Sequence, residues 1–338
     1  MKTIGLIFGG KSPEHGVSLS SARGVLDNID KTKYKVKEIF INQDGYFFSD
    51  RACLNKVVRG EESKLKKYDF FKESNKVDIY FPILHGIGGE DGEIQGLIRS
   101  VNKPFVGSDV LASALCLNKA LFKLTMASEN IPQLKFEILN HKQLNTVEIN
   151  KKLKQIKRDF KFPVFVKAAS LGSSIGIYKV GTKNELELAV KKASKYDLTV
   201  LVEESIVSGR EIEVSVLGNS FKDVCLANPG EVVPAEEFYS YKDKCCQSKA
   251  RTIVNTSLSN EISRQIKAIA IKAYLLVGCE GMARVDFFVS KKNKVYLNEI
   301  NTIPGFTPIS MYPKMWEASG LSYQNLISEL IQLALKRK

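Results

Sequence analysis

The feature that most constrains the fold is the alternation of short apolar runs with helical patterns in the first third of the chain. Thr3 to Phe8 is a β-rich apolar run that ends at Gly9-Gly10, and the following segment repeats apolar residues at helical spacing. Tyr34 to Ile41 and Val77 to Leu84 are further apolar runs, with helical patterns after the second. Strands that alternate with helices form parallel sheets. The sequence therefore predicts a doubly wound, parallel-sheet α/β domain over residues 1–117.

The pattern changes after residue 117 to strands and helices of an α+β type. We expect one small unit over residues 118–206 and a further block over residues 207–338, in which the polar stretch Asn228 to Val254 is expected to be mobile. The strands predicted here are Phe162 to Ala168, Ile175 to Val180, Leu198 to Glu203, Glu211 to Leu217, Met282 to Val289 and Lys294 to Ile300. The predicted helices are Asn118 to Glu129, Val147 to Arg158, Lys183 to Lys195, Asn260 to Val277 and Tyr323 to Leu335.

Composition narrows the class of protein. The chain has 338 residues and is 44% hydrophobic, which is typical of a globular protein of two or three domains. Its longest apolar runs are far shorter than the roughly 20 residues of a membrane helix, and the N-terminal run has no cleavage site, so we expect a cytoplasmic protein without a membrane partner. The 6 cysteines form no C-x-x-C pair, and only 3 histidines occur, so any metal must be held by oxygen ligands.

The net charge of +13 raises the question of nucleic-acid binding. The cations are 40 lysines and only 10 arginines, spread in short groups that suit solvated helix faces and turns, so we expect no nucleic-acid partner. A formal P-loop pattern, Gly5 followed by Gly10-Lys11-Ser12, lies within a predicted strand instead of following one, which argues against a phosphate loop there.

Two glycine-rich segments are candidates for ligand contacts. Residues 83–96 place His85 at a strand end before four glycines and three acids, although a capped turn would have the same pattern. Lys167 ends another strand and is followed by Gly172 to Gly176, a combination that suits a phosphate clamp.

The last two predicted strands carry the most informative pattern. Side chains alternate along a strand, so Arg284 and Asp286 share one face, as do Glu299 and Asn301. If the two strands pair, two carboxylates and a carboxamide converge beside an arginine, and Mg²⁺ takes such oxygen ligands together with substrate phosphates. A structural ion pair between Arg284 and Asp286 is the alternative.

Five separated segments together resemble the D-alanine–D-alanine ligase family of the ATP-grasp superfamily. They are GGKSPEHGVSL, HGIGGEDGEIQG, FVKAASLGSSIG, SGREIEVSVLG with FYSYKDK, and RVDFF with LNEINTIPGFTPIS. The resemblance covers nearly the whole chain. It implies that residues 118–206 and 207–338 are the central and C-terminal lobes of an ATP-grasp fold, with ATP bound between them.

The resemblance also implies roles for individual residues. The nucleotide set is Lys119 and Lys167 for phosphates, Glu203, Glu204 and Ile206 for adenine, Glu211 for ribose, and Lys244 in a loop that closes over ATP. The substrate and catalytic set is Glu14 for the first ammonium, His85 near the reacting carboxylate, Ser173 beside Glu14, Arg284 for the oxyanion, and Gly305, Ser310 and Met311 for the second substrate. The metal set is Asp286, Glu299 and Asn301, which would bind two Mg²⁺ or Mn²⁺.

Three positions depart from the family pattern. Cys245 stands where a tyrosine commonly follows the loop lysine, Ala168 replaces the usual proline after the phosphate lysine, and Ile87 replaces a proline after His85-Gly86. The missing tyrosine hydroxyl bears on the choice of second substrate and on loop closure.

One spacing also departs from the family pattern. The interval from Glu204 to Glu211 is the usual one, whereas the interval from Glu203 is one residue longer, so the resemblance leaves open which of the two glutamates contacts adenine.

The implied activity is ATP-dependent ligation of two D-alanines through an acyl phosphate, which supplies a dipeptide for peptidoglycan. The loops 170–176 and 236–250 would then be mobile lids, and the family resemblance implies a homodimer. Two alternatives stay open from the sequence. One is a ligase of the same fold that uses D-lactate or another second substrate, and the other is a non-catalytic nucleotide-binding or nucleic-acid-binding protein.

Overall fold

The computed structural model describes residues 1–172, 175–233 and 251–337, which fold around three β-sheets. The strands are β1 Lys2–Gly9, β2 Tyr34–Ile41, β3 Phe47–Phe48, β4 Ile79–Pro82, β5 Phe136–Asn140, β6 Val164–Ala168, β7 Ile177–Val180, β8 Thr199–Glu204, β9 Arg210–Gly218, β10 Cys225–Leu226, β11 Gly230–Val233, β12 Arg251–Ile253, β13 Gly281–Val289 and β14 Val295–Asn301. The α-helices are α1 His15–Asn28, α2 Cys53–Val58, α3 Phe70–Glu73, α4 Glu93–Ser100, α5 Val110–Leu117, α6 Lys119–Ser128, α7 Thr146–Asp159, α8 Leu186–Ala193, α9 Asn260–Leu276, α10 Met311–Ala318 and α11 Tyr323–Leu335. Short 3₁₀ turns cover Glu62–Lys64 and Ser74–Lys76.

The first sheet has the order β3-β2-β1-β4, in which β2, β1 and β4 are parallel. The prediction of a parallel-sheet N-terminal domain is therefore confirmed. β1 is buried from Ile4 to Gly9, as expected for a parallel strand covered on both faces. Gly9 closes the strand with φ +96°, and a Cβ there would lie 2.2 Å from the carbonyl oxygen of Ile41, so only glycine fits this turn.

The other two sheets are antiparallel. The four-stranded sheet has the order β5-β8-β6-β7, and α7 and α8 contribute to its apolar core. The six-stranded sheet has the order β12-β11-β9-β13-β14, with β10 added beside β9. Its core side packs against α9, through residues such as Ile266 and Tyr274. This confirms the α+β character predicted for the later part of the chain.

The sequence predicts that the polar stretch Asn228 to Val254 is mobile, and this is wrong for both ends of the stretch, which form β-strands. β11 and β12 lie inside this stretch and pair antiparallel, with Val232 opposite Thr252, and β11 continues onto β9. The apolar pair Val232-Val233 and the β-branched pair Thr252-Ile253 supply the strand propensity that overall polarity conceals. The sequence pattern also gave no signal for β5, α2 or α10.

One apolar core joins the two ends of the chain. Ile4, Leu6 and Phe8 of the first sheet share it with Leu326 and Leu330 of α11, and all five are at most 1% exposed. The C-terminal helix thus covers one face of the N-terminal sheet. Among the described residues, no single helix has the length and apolar character of a membrane span. The consecutive helices α5 and α6 have that length and character only when they are counted together, and the axis bends by 102° between them.

This shared core gives a stability prediction. We expect Leu330→Ala to destabilise the fold by about 2–5 kcal/mol, because Leu330 is 0% exposed and its truncation leaves a cavity. Thermal unfolding followed by circular dichroism measures the effect. Leu188→Ala on α8, where the side chain is 58% exposed, is the matched control and should change stability by no more than about 0.5 kcal/mol. Equal melting temperatures for the two variants would contradict the assignment of Leu330 to the core.

Candidate active site

A cavity of about 940 Å³ lies where the three sheets approach one another. Its wall combines the start of α1, the turn after β4, the N-terminus of α6 and the strands β9, β13 and β14. The residues singled out from the sequence that line it are Glu14, His85, Lys119, Glu211, Arg284, Asp286, Glu299, Asn301, Gly305, Ser310 and Met311. These positions span almost 300 residues of sequence, so the fold brings most of the candidate set together.

The polar floor of the cavity is formed by β13 and β14. The predicted pairing of these strands is confirmed: Arg284 lies opposite Asn301, and Asp286 lies opposite Glu299. The Arg284 guanidinium donates to both oxygens of Asp286, from Nε at 2.7 Å and from Nη2 at 2.6 Å. Asn301 Nδ2 donates to Asp286 Oδ2 at 3.0 Å. The ion pair offered as an alternative and the convergence of oxygen ligands are therefore both present.

The charge balance of this floor suits a cation. Glu213 on β9 adds a third acidic side chain, with Oε1 3.3 Å from Arg284 Nε. Burial works to lower the pKa of Arg284, but the negative charges of Asp286 and Glu213 outweigh it and hold this pKa well above its usual value. Glu299 acts in the same direction, so three carboxylates surround one guanidinium.

The donor chemistry fits Mg²⁺ completed by substrate oxygens. Among the described residues, no group of three or more His, Cys, Asp or Glu side chains is arranged to hold a metal by itself. Asp286 and Glu299 give two carboxylates and Asn301 gives an amide. Mg²⁺ is commonly held by one or two carboxylates plus phosphate oxygens and water. The set is thus suited to a metal that arrives with a phosphate ligand.

His85 is buried at the carboxyl edge of the first sheet, with both ring nitrogens in contact with protein atoms. Nδ1 lies 3.1 Å from the carbonyl oxygen of Ile303, which can only accept, so Nδ1 carries a proton. Nε2 lies 3.0 Å from the hydroxyl oxygen of Ser21, which also accepts from the Phe306 N–H at 3.2 Å. Both contacts are compatible with a doubly protonated ring.

Glu90 supports this charge state. Its Oε1 lies 3.7 Å from His85 Nδ1. Burial works to lower the pKa of His85, but Glu90 and Glu14 outweigh it, and the net shift is upward. The neighbouring Asp91 instead accepts from the Gly88 N–H at 2.6 Å and the Glu93 N–H at 3.1 Å. The glycine-rich turn is therefore capped by Asp91, while Glu90 is directed at the histidine.

Glu14 lies at the N-cap of α1, with its carboxylate between two backbone segments. A Cβ at Gly86 would lie 2.8 Å from Glu14 Oε2, and one at Gly172 would lie 3.3 Å from it. The carboxylate thus meets both the turn after β4 and the loop after β6. Glycines allow this close approach.

The two predicted phosphate lysines have different surroundings. Lys119 begins α6, and its ammonium donates to the carbonyl oxygen of Leu171 at 2.6 Å. Lys167 is the last residue but one of β6, lies outside the cavity lining, and donates to Glu203 Oε2 at 2.6 Å. Glu203 also forms an ion pair with Lys123, a buried lysine that the sequence reasoning missed. The only signal for it was its position four residues after Lys119 on one helix.

The predicted adenine segment lies at the end of β8. Glu203 is buried, with its two oxygens on lysines, whereas Glu204 is partly exposed and accepts from the Lys161 N–H at 2.9 Å. Ile206 packs against Gly209, just before β9 and Glu211. Of this segment, only Glu211 lines the cavity. Glu203, Glu204 and Ile206 lie outside its wall.

The three residues predicted for the second substrate lie together at the opposite side of the cavity. A Cβ at Gly305 would lie 2.7 Å from Ser310 Oγ, so this glycine leaves room for the serine. Ser310 precedes α10 and accepts from the Thr307 N–H at 3.1 Å. Met311 is 5% exposed and its methyl group packs against Gly230 of β11.

Three predicted residues cannot be located in this geometry. Ser173, Lys244 and Cys245 lie outside the described residues, as does the whole of the predicted lid at 236–250. The rejected P-loop pattern is also explained by the structure. Gly5 is a buried residue within β1, where a Cβ would lie 2.7 Å from the Tyr80 ring, and the Lys11 side chain packs over Gly45.

Family models match both halves of the chain. The model described as D-ala D-ala ligase N-terminus matches residues 3–108, and the model described as D-ala D-ala ligase C-terminus matches residues 125–332. Together they span most of the sequence.

Full-length relatives agree with these matches. A D-alanine–D-alanine ligase of Clostridium acetobutylicum is 43% identical over 345 residues, which cover 99% of this chain and 98% of the relative. D-alanine–D-alanine ligase A of Escherichia coli is 41% identical over 358 residues, covering 99% and 96%. The solved structure of the VanG D-Ala:D-Ser ligase from Enterococcus faecalis superposes with a TM-score of 0.87 at 32% identity, covering 98% of this chain and 99% of that one. The chain belongs to the D-alanine–D-alanine ligase family.

Proposed function

We propose that this chain joins two D-alanines into D-alanyl-D-alanine at the expense of ATP, for peptidoglycan precursor synthesis. The observation that carries the proposal is the single cavity that combines a carboxylate–histidine pair, Glu14 and His85, with the Arg284–Asp286 floor. Membership of the ligase family supports it across both halves of the chain. The division at residues 117 and 206, a homodimer and a cytoplasmic location are parts of the same proposal.

The first D-alanine is assigned to the Glu14 and His85 side of the cavity. The Glu14 carboxylate is placed to bind the substrate ammonium, and the protonated His85 ring supplies positive charge towards the substrate carboxylate. Opposite charges at the two ends of the substrate would fix its orientation. Ser173 is proposed to assist Glu14, since Gly172, the residue before it, already lies against the Glu14 carboxylate.

A carboxylate is a poor electrophile, so its oxygen must first accept a phosphoryl group from ATP and become an acyl phosphate. We assign Lys119, Lys167 and Lys244 to the ATP phosphates, Glu211 to the ribose, and Glu204 with Ile206 to the adenine. Glu203 is left out of the proposed adenine set, because both of its oxygens contact lysines. Asp286, Glu299 and Asn301 are assigned to two Mg²⁺, with Mn²⁺ as a substitute; the bound ions would offset charge on the phosphate oxygens.

The second D-alanine attacks through its free amine and forms a tetrahedral oxyanion before phosphate leaves. We assign stabilisation of that oxyanion to Arg284, which Asp286 and Glu213 hold in a fixed orientation. Gly305, Ser310 and Met311 are assigned to the second substrate. The acyl phosphate must be protected from water, and the loops 170–176 and 236–250 are proposed as the lids that do this.

The acceptor could instead be another D-compound. Cys245 stands in place of the usual loop tyrosine, so the tyrosine hydroxyl is missing. In addition, one solved relative is named a D-Ala:D-Ser ligase. A ligase with D-serine or D-lactate as second substrate is therefore the second candidate function.

Product analysis tests the proposal directly. We expect ADP release with MgATP and D-alanine alone, with D-alanyl-D-alanine identified by mass spectrometry, and no release with L-alanine. Mixtures of D-alanine with D-serine or D-lactate should still give mainly the D-alanine dipeptide. A mixed dipeptide or depsipeptide as the main product would favour the second candidate function. The absence of ADP release with every acceptor would contradict both ligase functions.

The metal assignment predicts the effect of one conservative change. Glu299→Gln removes a carboxylate ligand while keeping the side-chain shape, so turnover should fall by about a hundredfold or more. Steady-state ADP release at saturating MgATP measures this. Lys11→Ala is the control, because Lys11 lies outside the main cavity and is needed only by the rejected P-loop hypothesis. Full activity of Glu299→Gln would remove the metal assignment.

The charge of His85 predicts a pH effect. Because Glu90 and Glu14 raise the pKa of His85 above its ordinary value, the imidazolium persists to higher pH than in a free histidine, and kcat/KM should be lost as pH rises through that pKa. Glu90→Gln removes a carboxylate that raises the pKa of His85, so the alkaline limb of the plot of kcat/KM against pH should move to lower pH. Asp91→Asn, which alters the neighbouring turn cap, is the matched control and should leave the limb in place. A limb that is identical in wild type and Glu90→Gln would show that His85 does not set it.

A further inference from the structure

A buried group of three charged side chains lies beside the proposed nucleotide site, and one of them, Lys123, has no role in the mechanism above. Lys123 of α6, Glu203 of β8 and Lys167 of β6 form a lysine–glutamate–lysine cluster. Glu203 contacts Lys123 through Oε1 and Lys167 through Oε2, the latter at 2.6 Å. One carboxylate therefore serves two ammonium groups.

The two lysines differ in exposure. The side chains of Lys123 and Glu203 are each 2% exposed, whereas that of Lys167 is 12% exposed. The ammonium of Lys123 lies 5.6 Å from the centre of the Phe136 ring, which adds a favourable cation–π contact in the interior. Lys123 therefore faces the interior, and Lys167 is the member of the cluster that a ligand can approach.

The charges in the cluster do not cancel. Two ammonium groups and one carboxylate leave one net positive charge within the cluster. Burial lowers the pKa of Lys123, and the carboxylates of Glu203 and Glu299 act against that shift and favour its charged form. Burial works to raise the pKa of Glu203, but the two lysines outweigh it and keep the carboxylate ionised. An arrangement with Lys167 and Glu203 alone would be neutral, so the excess charge depends on Lys123.

The helix that carries Lys123 links the cluster to the cavity. Lys119 and Lys123 are four residues apart on α6 and so lie on one face. Lys119 lines the cavity and contacts the loop after β6 through the carbonyl oxygen of Leu171. The same helix face thus contacts both the 168–172 segment and the Glu203 carboxylate. Glu203 in turn holds the ammonium group of Lys167 in position.

We infer that Lys123 is a positioning residue for Lys167. By sharing the Glu203 carboxylate, Lys123 prevents full neutralisation of Lys167 and leaves it positive charge for a nucleotide phosphate. This inference rests on the proposed function in one respect, the assignment of Lys167 to phosphate. Lys123 itself contacts neither nucleotide nor substrate in this scheme.

The test is a set of charge-counting variants measured by nucleotide binding. In Lys123→Met, Glu203 pairs with Lys167 alone, and the dissociation constant for the Mg²⁺ complex of the non-hydrolysable analogue AMP-PNP should rise about tenfold, which corresponds to about 1.4 kcal/mol. In the double variant Lys123→Met/Glu203→Gln, the competing carboxylate is also gone. Affinity should then return to within about threefold of wild type.

This recovery separates positioning from a merely structural role. Structural damage from two buried substitutions would accumulate, whereas the inference requires the second change to repair the first. Lys154→Met on the exposed face of α7 is the control for loss of one positive charge and should leave the dissociation constant unchanged. Circular dichroism melting curves check that each variant is folded.

Two results would overturn the inference: an unchanged dissociation constant in folded Lys123→Met, or a double variant that binds about tenfold or more weakly than wild type. If Lys123→Met fails to fold, the double variant alone decides, because it has no buried unpaired carboxylate. The criterion is again whether it binds AMP-PNP about tenfold or more weakly than wild type. Titration calorimetry with AMP-PNP needs no D-alanine. A wild type that binds nucleotide but does not turn over D-alanine would therefore contradict the proposed function and leave this test intact.

Discussion

The geometry of the site depends on one irregularity in the pairing of β13 with β14. From Arg284 to Asp286 the partners are Asn301 to Glu299, but Phe287 pairs with Leu297, so Asn298 is an extra residue in β14. A β-bulge of this kind changes which face the following side chains occupy. Val295 and Leu297 point into the core before the bulge, whereas Glu299 and Asn301 face the cavity after it. Without the bulge, strict alternation along β14 would place the side chains of Glu299 and Asn301 on the same face as Leu297, in the apolar core.

Charge in the site is organised as shared pairs. Asp286 accepts from Arg284 and Asn301, and Glu203 serves two lysines. In each case one carboxylate fixes two donors, so the donors have little freedom before a ligand arrives. Preorganised donors of this kind need little rearrangement during a reaction, which is the main source of electrostatic stabilisation in enzymes. The floor of the cavity carries excess negative charge and the α6 side carries excess positive charge, a division that suits a metal–phosphate ligand between them.

Much of this could be predicted from the sequence, because periodicity and glycine turns are local signals. The strand from Tyr34 to Ile41 and the helix from Tyr323 to Leu335 were predicted with the observed bounds. Strand alternation also placed Arg284 beside Asp286. The bulge at Asn298, by contrast, depends on the partner strand, and β14 itself indicates it only through the three-residue step from Leu297 to Ile300 in its apolar pattern. Lys123 was missed for a similar reason, since a lysine is usually solvated and its burial depends on a glutamate 80 residues later. Contacts between distant segments, such as Glu14 with Gly86 and Gly172, likewise follow only from the folded chain.

The shared core of β1 and α11 also has a consequence for how the protein is made. Synthesis proceeds from the N-terminus, so the strands of the first sheet emerge from the ribosome long before α11 does. Until then Ile4, Leu6 and Phe8 lack the cover that Leu326 and Leu330 provide in the finished molecule. Domains of a growing chain usually fold in order of appearance. Here the sheet of the domain that appears first is completed by α11, so a nascent chain must keep an apolar sheet face protected until residues 323–335 have emerged.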